Sequence, residues 1–227
     1  MLPEAGTAGV RLDGDFALPE RATGVVLFAH GSGSSRHSPR NRLVAQRLNE
    51  LGLATLLLDL LTPGEDAVEH RGGQLRFDID LLIERLDAGL AWVRQDERTV
   101  TLPVGCFGAS TGAAAALGLA GRHPEAIRAV VSRGGRPDLT PDHLLGAVRA
   151  PTLLIVGGAD DVVLDMNRGA LARMHASSDL EVVPGASHLF EEPDALERVA
   201  DLAAAWFVRH LAPSGGDTHV GVRASLS

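Results

Sequence analysis

Gly108-Ala109-Ser110-Thr111-Gly112 joins the apolar, β-prone run Val104-Gly105-Cys106-Phe107 to the helix-forming stretch Ala113-Ala114-Ala115-Ala116-Leu117. A strand that turns this sharply into a helix strains the residue at the corner. The positions two before and two after it must lack bulk, which glycine supplies. The serine hydroxyl is thereby lifted clear of the sheet. In a chain with 26 glycines the bare pattern recurs by chance, so the strand before it and the helix after it carry the reading. Ser110 is the candidate nucleophile. The plainer alternative is an ordinary helix N-cap serine, and the two are separated by whether the chain also supplies a base and an acid.

Working outward, apolar blocks of strand length alternate with helix-length patterns, which predicts a parallel sheet wrapped by helices. Gly24 to Ala29 is a strand ending at His30, and Ala54 to Leu58 is one ending at Asp59. Leu102 to Phe107, Ile127 to Val131, Thr152 to Val156 and Leu180 to Val183 follow. Their continuous apolar character predicts cover on both faces. Val10 to Leu18 predicts a short antiparallel pair turning at Asp13-Gly14. Ser38 and Pro39 read as N-cap and first position of a helix closed by Gly52. Phe77 to Val93 and Pro193 to Leu211 read as further helices. The expectation is an α/β fold: a mostly parallel, doubly wound sheet of about eight strands, with no large lid. Residues 1–211 are expected to form one domain, and the Pro- and Gly-bearing stretch from Ala212 to Ser227 to be disordered.

In a parallel sheet every strand delivers its following loop to the same edge. Thr152 to Val156 runs into Gly157-Gly158-Ala159-Asp160-Asp161, and Leu180 to Val183 into Pro184-Gly185-Ala186-Ser187-His188. Serine is a weak nucleophile near neutral pH and needs a base to take its proton and a carboxylate to orient that base. Ser110, Asp160 and His188 can converge on one edge to meet that need, with Asp161 as the alternative acid.

Composition removes competing chemistries. All 21 basic residues are arginine, and there is no tyrosine. This excludes a Schiff-base lysine, a Walker A lysine and a Tyr/Lys hydride-transfer pair. The single cysteine, Cys106, excludes intramolecular disulfides, thiolate zinc clusters and iron–sulfur ligation, and it reads as a small core residue. A formal net charge of -8 argues against a nucleic-acid partner. The uncharged stretch Thr101 to Gly121 is too weakly apolar for a membrane span. His37, His70, His123 and His175 have no partner at metal-ligand spacing, so neither a metal nor another cofactor is expected. The N-terminus lacks a signal-peptide layout, which gives a cytoplasmic expectation.

The order Ser, Asp, His, together with Gly108 to Gly112, Gly157-Gly158-Ala159-Asp160 and Gly185-Ala186-Ser187-His188-Leu189-Phe190-Glu191-Glu192-Pro193, resembles the α/β-hydrolase superfamily. Within it the chain most resembles the small, lidless dienelactone-hydrolase-like branch, from about Gly24 to Leu211. Dienelactone hydrolases proper carry cysteine at the elbow, where this chain has Ser110.

The resemblance implies a serine hydrolase of small carboxylic esters or lactones working through an acyl-enzyme. A silent ligand-binding module and an acyltransferase are the alternatives. The resemblance also favours Asp160 as the acid, through its Gly-x-x-Asp-x-x-Val spacing, and adds Asp138 as a third option. It implies an oxyanion hole from the Thr111 N–H and, by the His-Gly-x turn His30-Gly31-Ser32, the Ser32 N–H, with Gly31 as alternative. His30 is expected to support that turn without moving protons. Arg36, Arg40, Arg71, Arg76, Arg133 and Arg136 lie around loops at strand ends. Arg133 and Arg136 are the best candidates to clamp a carboxylate or phosphate of a small-molecule substrate, against the plainer reading of ordinary surface arginines. Oligomeric state is left open.

Overall fold

The computed structural model describes residues 10–69 and 71–212. Readings made on residues 1–9 and on the tail from 213 onward lie outside them. The described strands are β1 (Gly14–Ala17), β2 (Gly24–Ala29), β3 (Leu53–Leu58), β4 (Val104–Ala109), β5 (Ile127–Arg133), β6 (Thr152–Gly157) and β7 (Ser178–Val183). The helices are α1 (Pro39–Glu50), α2 (Pro63–Glu69), α3 (Ile79–Gln95), α4 (Thr111–Arg122), α5 (Asp142–Leu145), α6 (Asp161–Leu171) and α7 (Ala195–Leu211). The strands form one sheet in the order β1-β3-β2-β4-β5-β6-β7. All neighbours run parallel except β1, which is antiparallel to β3.

Strand alternation divides the core in two. On one face Val26, Phe28, Phe107 and Val131 meet Val44 and Leu48 of α1 and Val199, Ala203 and Phe207 of α7. On the other, Val25, Leu27, Cys106 and Val130 meet Leu82, Ile83 and Leu86 of α3 and the alanines of α4. Residues 111–121 of α4 are all buried, and all but Leu117 and Leu119 carry small side chains. A Cβ on Gly121 would lie 2.1 Å from the Leu144 carbonyl oxygen beside α5. The uncharged stretch Thr101 to Gly121 is thus a strand and a separate short helix. No helix among the described residues is long and apolar enough to cross a membrane.

Two expectations need correction. Val10 to Leu18 does not fold back on itself: β1 alone forms, pairing Gly14 with Leu58 through Ala17 with Thr55. The described sheet has seven strands, against the expected number of about eight. An isolated two-stranded hairpin is marginal in water, whereas the free edge of β3 offers a ladder and lets Phe16 pack edge-on against Trp92 of α3 at 4.9 Å. In addition, β7 is not covered on both faces; most of it is exposed or half-buried, with only Val183 buried, because it closes the far edge of the sheet.

The helix starting at Pro39 forms as read. Ser38 Oγ accepts from the Asn41 N–H at 3.3 Å, and Gly52 takes the left-handed φ of 77° that ends the element. The last helix begins at Ala195, two residues later than expected, because Asp194 adopts a positive φ of 61°.

Gly121→Ala forces backbone apart where α4 meets α5. We expect it to cost about 1–3 kcal/mol and to lower Tm by about 2–10 °C, as measured by calorimetry.

Candidate active site

β4 ends at Ala109 and α4 starts at Thr111, leaving Ser110 alone at the corner with φ 50° and ψ −121°. A non-glycine residue there is strained. The flanking glycines permit it: a Cβ on Gly108 would stand 2.4 Å from Ala113 Cα, and one on Gly112 2.3 Å from the Ala29 carbonyl oxygen. Serine in this place is no ordinary N-cap, since its side chain makes no capping hydrogen bond.

Backbone hydrogen bonds tie the neighbouring loops to the corner. The Ser110 N–H donates to the Arg133 carbonyl at 3.2 Å, and the Arg136 N–H donates back to the Ser110 carbonyl at 3.1 Å. Gly134 N–H reaches the Ile155 carbonyl of β6 at 2.7 Å, and Ala159 N–H reaches the Ala186 carbonyl at 2.9 Å. The loops after β4, β5, β6 and β7 are therefore stitched in sequence along one edge. Asp160 and His188 meet there: His188 Nδ1 lies 2.7 Å from Asp160 Oδ2. With Nδ1–H donating to a carboxylate that is only 15% exposed, Nε2 is left with its lone pair free. His188 also borders the β5 loop, since a Cβ on Gly134 would be 3.5 Å from its Nδ1. Among the described residues the Ser110 hydroxyl makes no hydrogen bond to His188 or to any other group. Such contacts often tighten only with substrate in place.

The alternative acids fall elsewhere. Asp161 is exposed at the first turn of α6. Asp138 is held by Arg136, Nε to Oδ1 at 2.9 Å and Nη2 to Oδ2 at 2.8 Å. The same pair engages the Arg136 fork in this structure.

The two oxyanion candidates do come together, but the Ser32 N–H donates to Thr111 Oγ1 at 2.9 Å. In this state that donor is spent on a side chain the sequence reading overlooked. Gly31 lies against the elbow, where a Cβ would stand 3.0 Å from Ser110 Cβ. His30 Nε2 accepts from the Leu60 N–H at 3.1 Å, so Nδ1 carries the proton donated to the Gly31 carbonyl at 2.9 Å. Burial, the largest influence, holds its pKa below the usual histidine value. His30 is a neutral brace under the turn, as read.

The remaining arginines also sort. Arg36 pairs with Asp59, and Arg76 Nη2 bonds Asp66 at 2.6 Å; both line a cavity of about 190 Å³ beside the His30 turn. Arg133 is 7% exposed, and among the described residues no acid pairs with it. Arg40 approaches Glu191 only to 3.6 Å.

Residues 20–136 match the family model described as serine aminopeptidase, S33. The crystal structure of a dienelactone hydrolase from Anabaena variabilis is 53% identical and superposes with a TM-score of 0.89, covering 93% of this chain and 97% of that one. This chain belongs to the α/β-hydrolase superfamily, in its dienelactone-hydrolase-like branch. The esterase domain of a Rhodothermus marinus protein shares the fold at 19% identity, with a TM-score of 0.72 over 92% of this chain and 97% of that one. A Mycobacterium tuberculosis protein whose name gives phosphoribosyl transfer as a provisional activity is 55% identical over 206 residues, which is 91% of this chain and 45% of the relative. The chain thus spans about half the length of these curated relatives.

In this α/β-hydrolase, Cys106 sits inside β4 at 0% exposure, four positions before the elbow. Burial pushes its thiol well above the ordinary cysteine range. We expect Ellman's reagent to leave Cys106 unmodified in the folded protein and to titrate one thiol in denaturant. Rapid labelling without denaturant would contradict its core placement.

Proposed function

We propose that this chain hydrolyses small carboxylic esters or lactones through an acyl-enzyme on Ser110. The observation that carries the reading is the 2.7 Å bond from His188 Nδ1 to Asp160, on the same loop edge as a serine in a strained elbow. Ser110 Oγ attacks the carbonyl carbon while His188 Nε2 takes its proton, and Asp160 stabilises the imidazolium that results. The carbonyl oxygen, now negative, receives hydrogen bonds from the Thr111 N–H at the start of α4 and from the Ser32 N–H, which turns from Thr111 Oγ1 to the substrate. His188 then protonates the leaving alkoxide. Water, deprotonated by the same nitrogen, attacks the acyl carbon and frees Ser110.

The family supports the reading at two levels. The similar Anabaena protein carries the dienelactone hydrolase name, and dienelactone hydrolysis is ester cleavage within a ring. The phosphoribosyl transferase name belongs to relatives more than twice the length matched, and the matched portion corresponds to the hydrolase fold described above. The family model's aminopeptidase description uses the same machinery, but a lidless edge with an accessible elbow favours small esters.

A fluorophosphonate probe and p-nitrophenyl acetate test the proposal. Covalent labelling is expected for the wild type and absent in Ser110→Ala, whose hydrolysis falls by about 10³-fold or more. Asp160→Asn is expected to reduce kcat by about 10³–10⁴-fold, while Asp161→Asn stays within about twofold. Absence of labelling and turnover in the wild type would leave a ligand-binding module. Ester exchange outrunning hydrolysis with added alcohol would make the chain an acyltransferase.

A further inference from the structure

Arg133 is the last residue of β5, and alternation sends its side chain after Ala129 and Val131 onto the α1 and α7 face. It is 93% buried there by surface area, being 7% exposed. Among the described residues its Nε and Nη1 have no hydrogen-bond partner, and no carboxylate pairs with it. The neighbouring charge that acts on it is another cation, Arg40 in the first turn of α1, whose own Nε is buried and unpartnered. Burial and that like charge push Arg133 down to about 10, which leaves it protonated at neutral pH. Glu191 lies 3.6 Å from Arg40 and its side chain is 67% exposed, a geometry that neutralises little.

Scarcity of acids does not explain this. The chain has 29 acidic residues against 21 basic ones, and Arg36, Arg76, Arg85 and Arg136 each have a carboxylate within 3 Å. A buried guanidinium without a carboxylate, on which a second cation acts, is strongly unfavourable unless a ligand brings the missing charge.

Their place in the fold says which ligand. The Arg133 carbonyl accepts from the Ser110 N–H, Gly134 abuts the His188 ring, and Glu191 beside Arg40 is three residues past His188. We propose that Arg133 and Arg40 bind a doubly charged tetrahedral oxyanion, a phosphate monoester group carried on the ester substrate. A carboxylate has two oxygens and is saturated by one guanidinium fork, which would leave the second cation uncompensated. A phosphate monoester offers three peripheral oxygens and two charges, enough for both forks. The selection of phosphorylated esters rests on the hydrolase reading above, whereas the anion site itself does not.

The test separates the two. Inorganic phosphate is titrated into Ser110→Ala protein while Tm is followed, and the same is done after adding Arg133→Met or Arg40→Gln. At a hundredfold its Kd, phosphate is expected to raise Tm by about 5–10 °C in the Ser110→Ala parent. Arg133→Met is expected to remove that shift while matching or exceeding the parent's Tm without phosphate, because an apolar side chain of similar volume replaces a buried charge. A merely structural arginine would lower it. Arg40→Gln, at a half-buried position, is expected to weaken phosphate by about tenfold or more, and it decides the question should the methionine variant not fold.

In the wild type, p-nitrophenyl esters of equal acyl length ending in methyl, carboxylate or phosphate are compared. The phosphate ester is expected to lead the methyl ester by about 100-fold in kcat/KM, and that ratio to collapse in both arginine variants. No phosphate shift in the parent, a phosphate affinity unchanged by Arg40→Gln, or a carboxylate ester equal to the phosphate ester overturns the proposal. If phosphate binds but no ester is turned over, the hydrolase reading fails and the anion site stands. If neutral esters are cleaved in a Ser110-dependent way while phosphate does not bind, the anion site alone fails.

Discussion

Ser110 is held at a backbone angle that serine does not choose, and the packing of this edge is arranged to hold it. The strain is of the order of 1–3 kcal/mol. It is sustained because Gly108 and Gly112 let α4 close onto Ala113 and the Ala29 carbonyl, with no Cβ between them. Two hydrogen bonds to the end of β5 and the loop after it, one from the Ser110 N–H and one to its carbonyl, then fix the corner from the side. The serine stays half-buried at the edge because everything beneath it is packed against its release.

From that corner, order spreads along the sheet. Parallel register brings β4, β5, β6 and β7 to an end at the same edge, and backbone hydrogen bonds tie each loop to the neighbouring strand or its loop. Asp160 follows β6 and His188 follows β7, so their meeting at 2.7 Å is set by two adjacent strands in register. His30 does similar work on the other side of β4, bridging the Gly31 carbonyl and the Leu60 N–H as a neutral ring. None of these braces touches the reacting atoms in the proposed chemistry, yet each fixes a loop that carries one.

The electrostatics divide in the same way. Arg36, Arg76 and Arg136 are matched by Asp59, Asp66 and Asp138 and serve to pin loops. Arg133 is left buried without a carboxylate, and the charge that acts on it is the cation of Arg40. Strand alternation alone could have placed Arg133 on the face of Ala129 and Val131, opposite Ser132, and so next to the start of α1. Arg40 carried no such signal, because its nearness to β5 is a packing relation across 93 residues of chain. Likewise, nothing in the letters around Thr111 foretold that its hydroxyl would take the Ser32 N–H from a loop 79 residues earlier.

The sequence by itself determined the α/β class, the strand-turn-helix at Ser110, the Ser, Asp, His order and the buried place of Cys106. These follow from local periodicity and from turn chemistry, both written within a few neighbouring residues. It misjudged β1, where a local hairpin signal lost to the open edge of β3, because a ladder against an apolar strand outweighs a marginal pair. Only the tertiary structure decided that Asp160 and not Asp161 or Asp138 reaches His188, that Arg136 is occupied, and that Arg133 is not. Each of those outcomes depends on which side chains share a few ångströms after distant segments pack, and hydrogen bonds and charge pairs are governed by that distance and not by position along the chain.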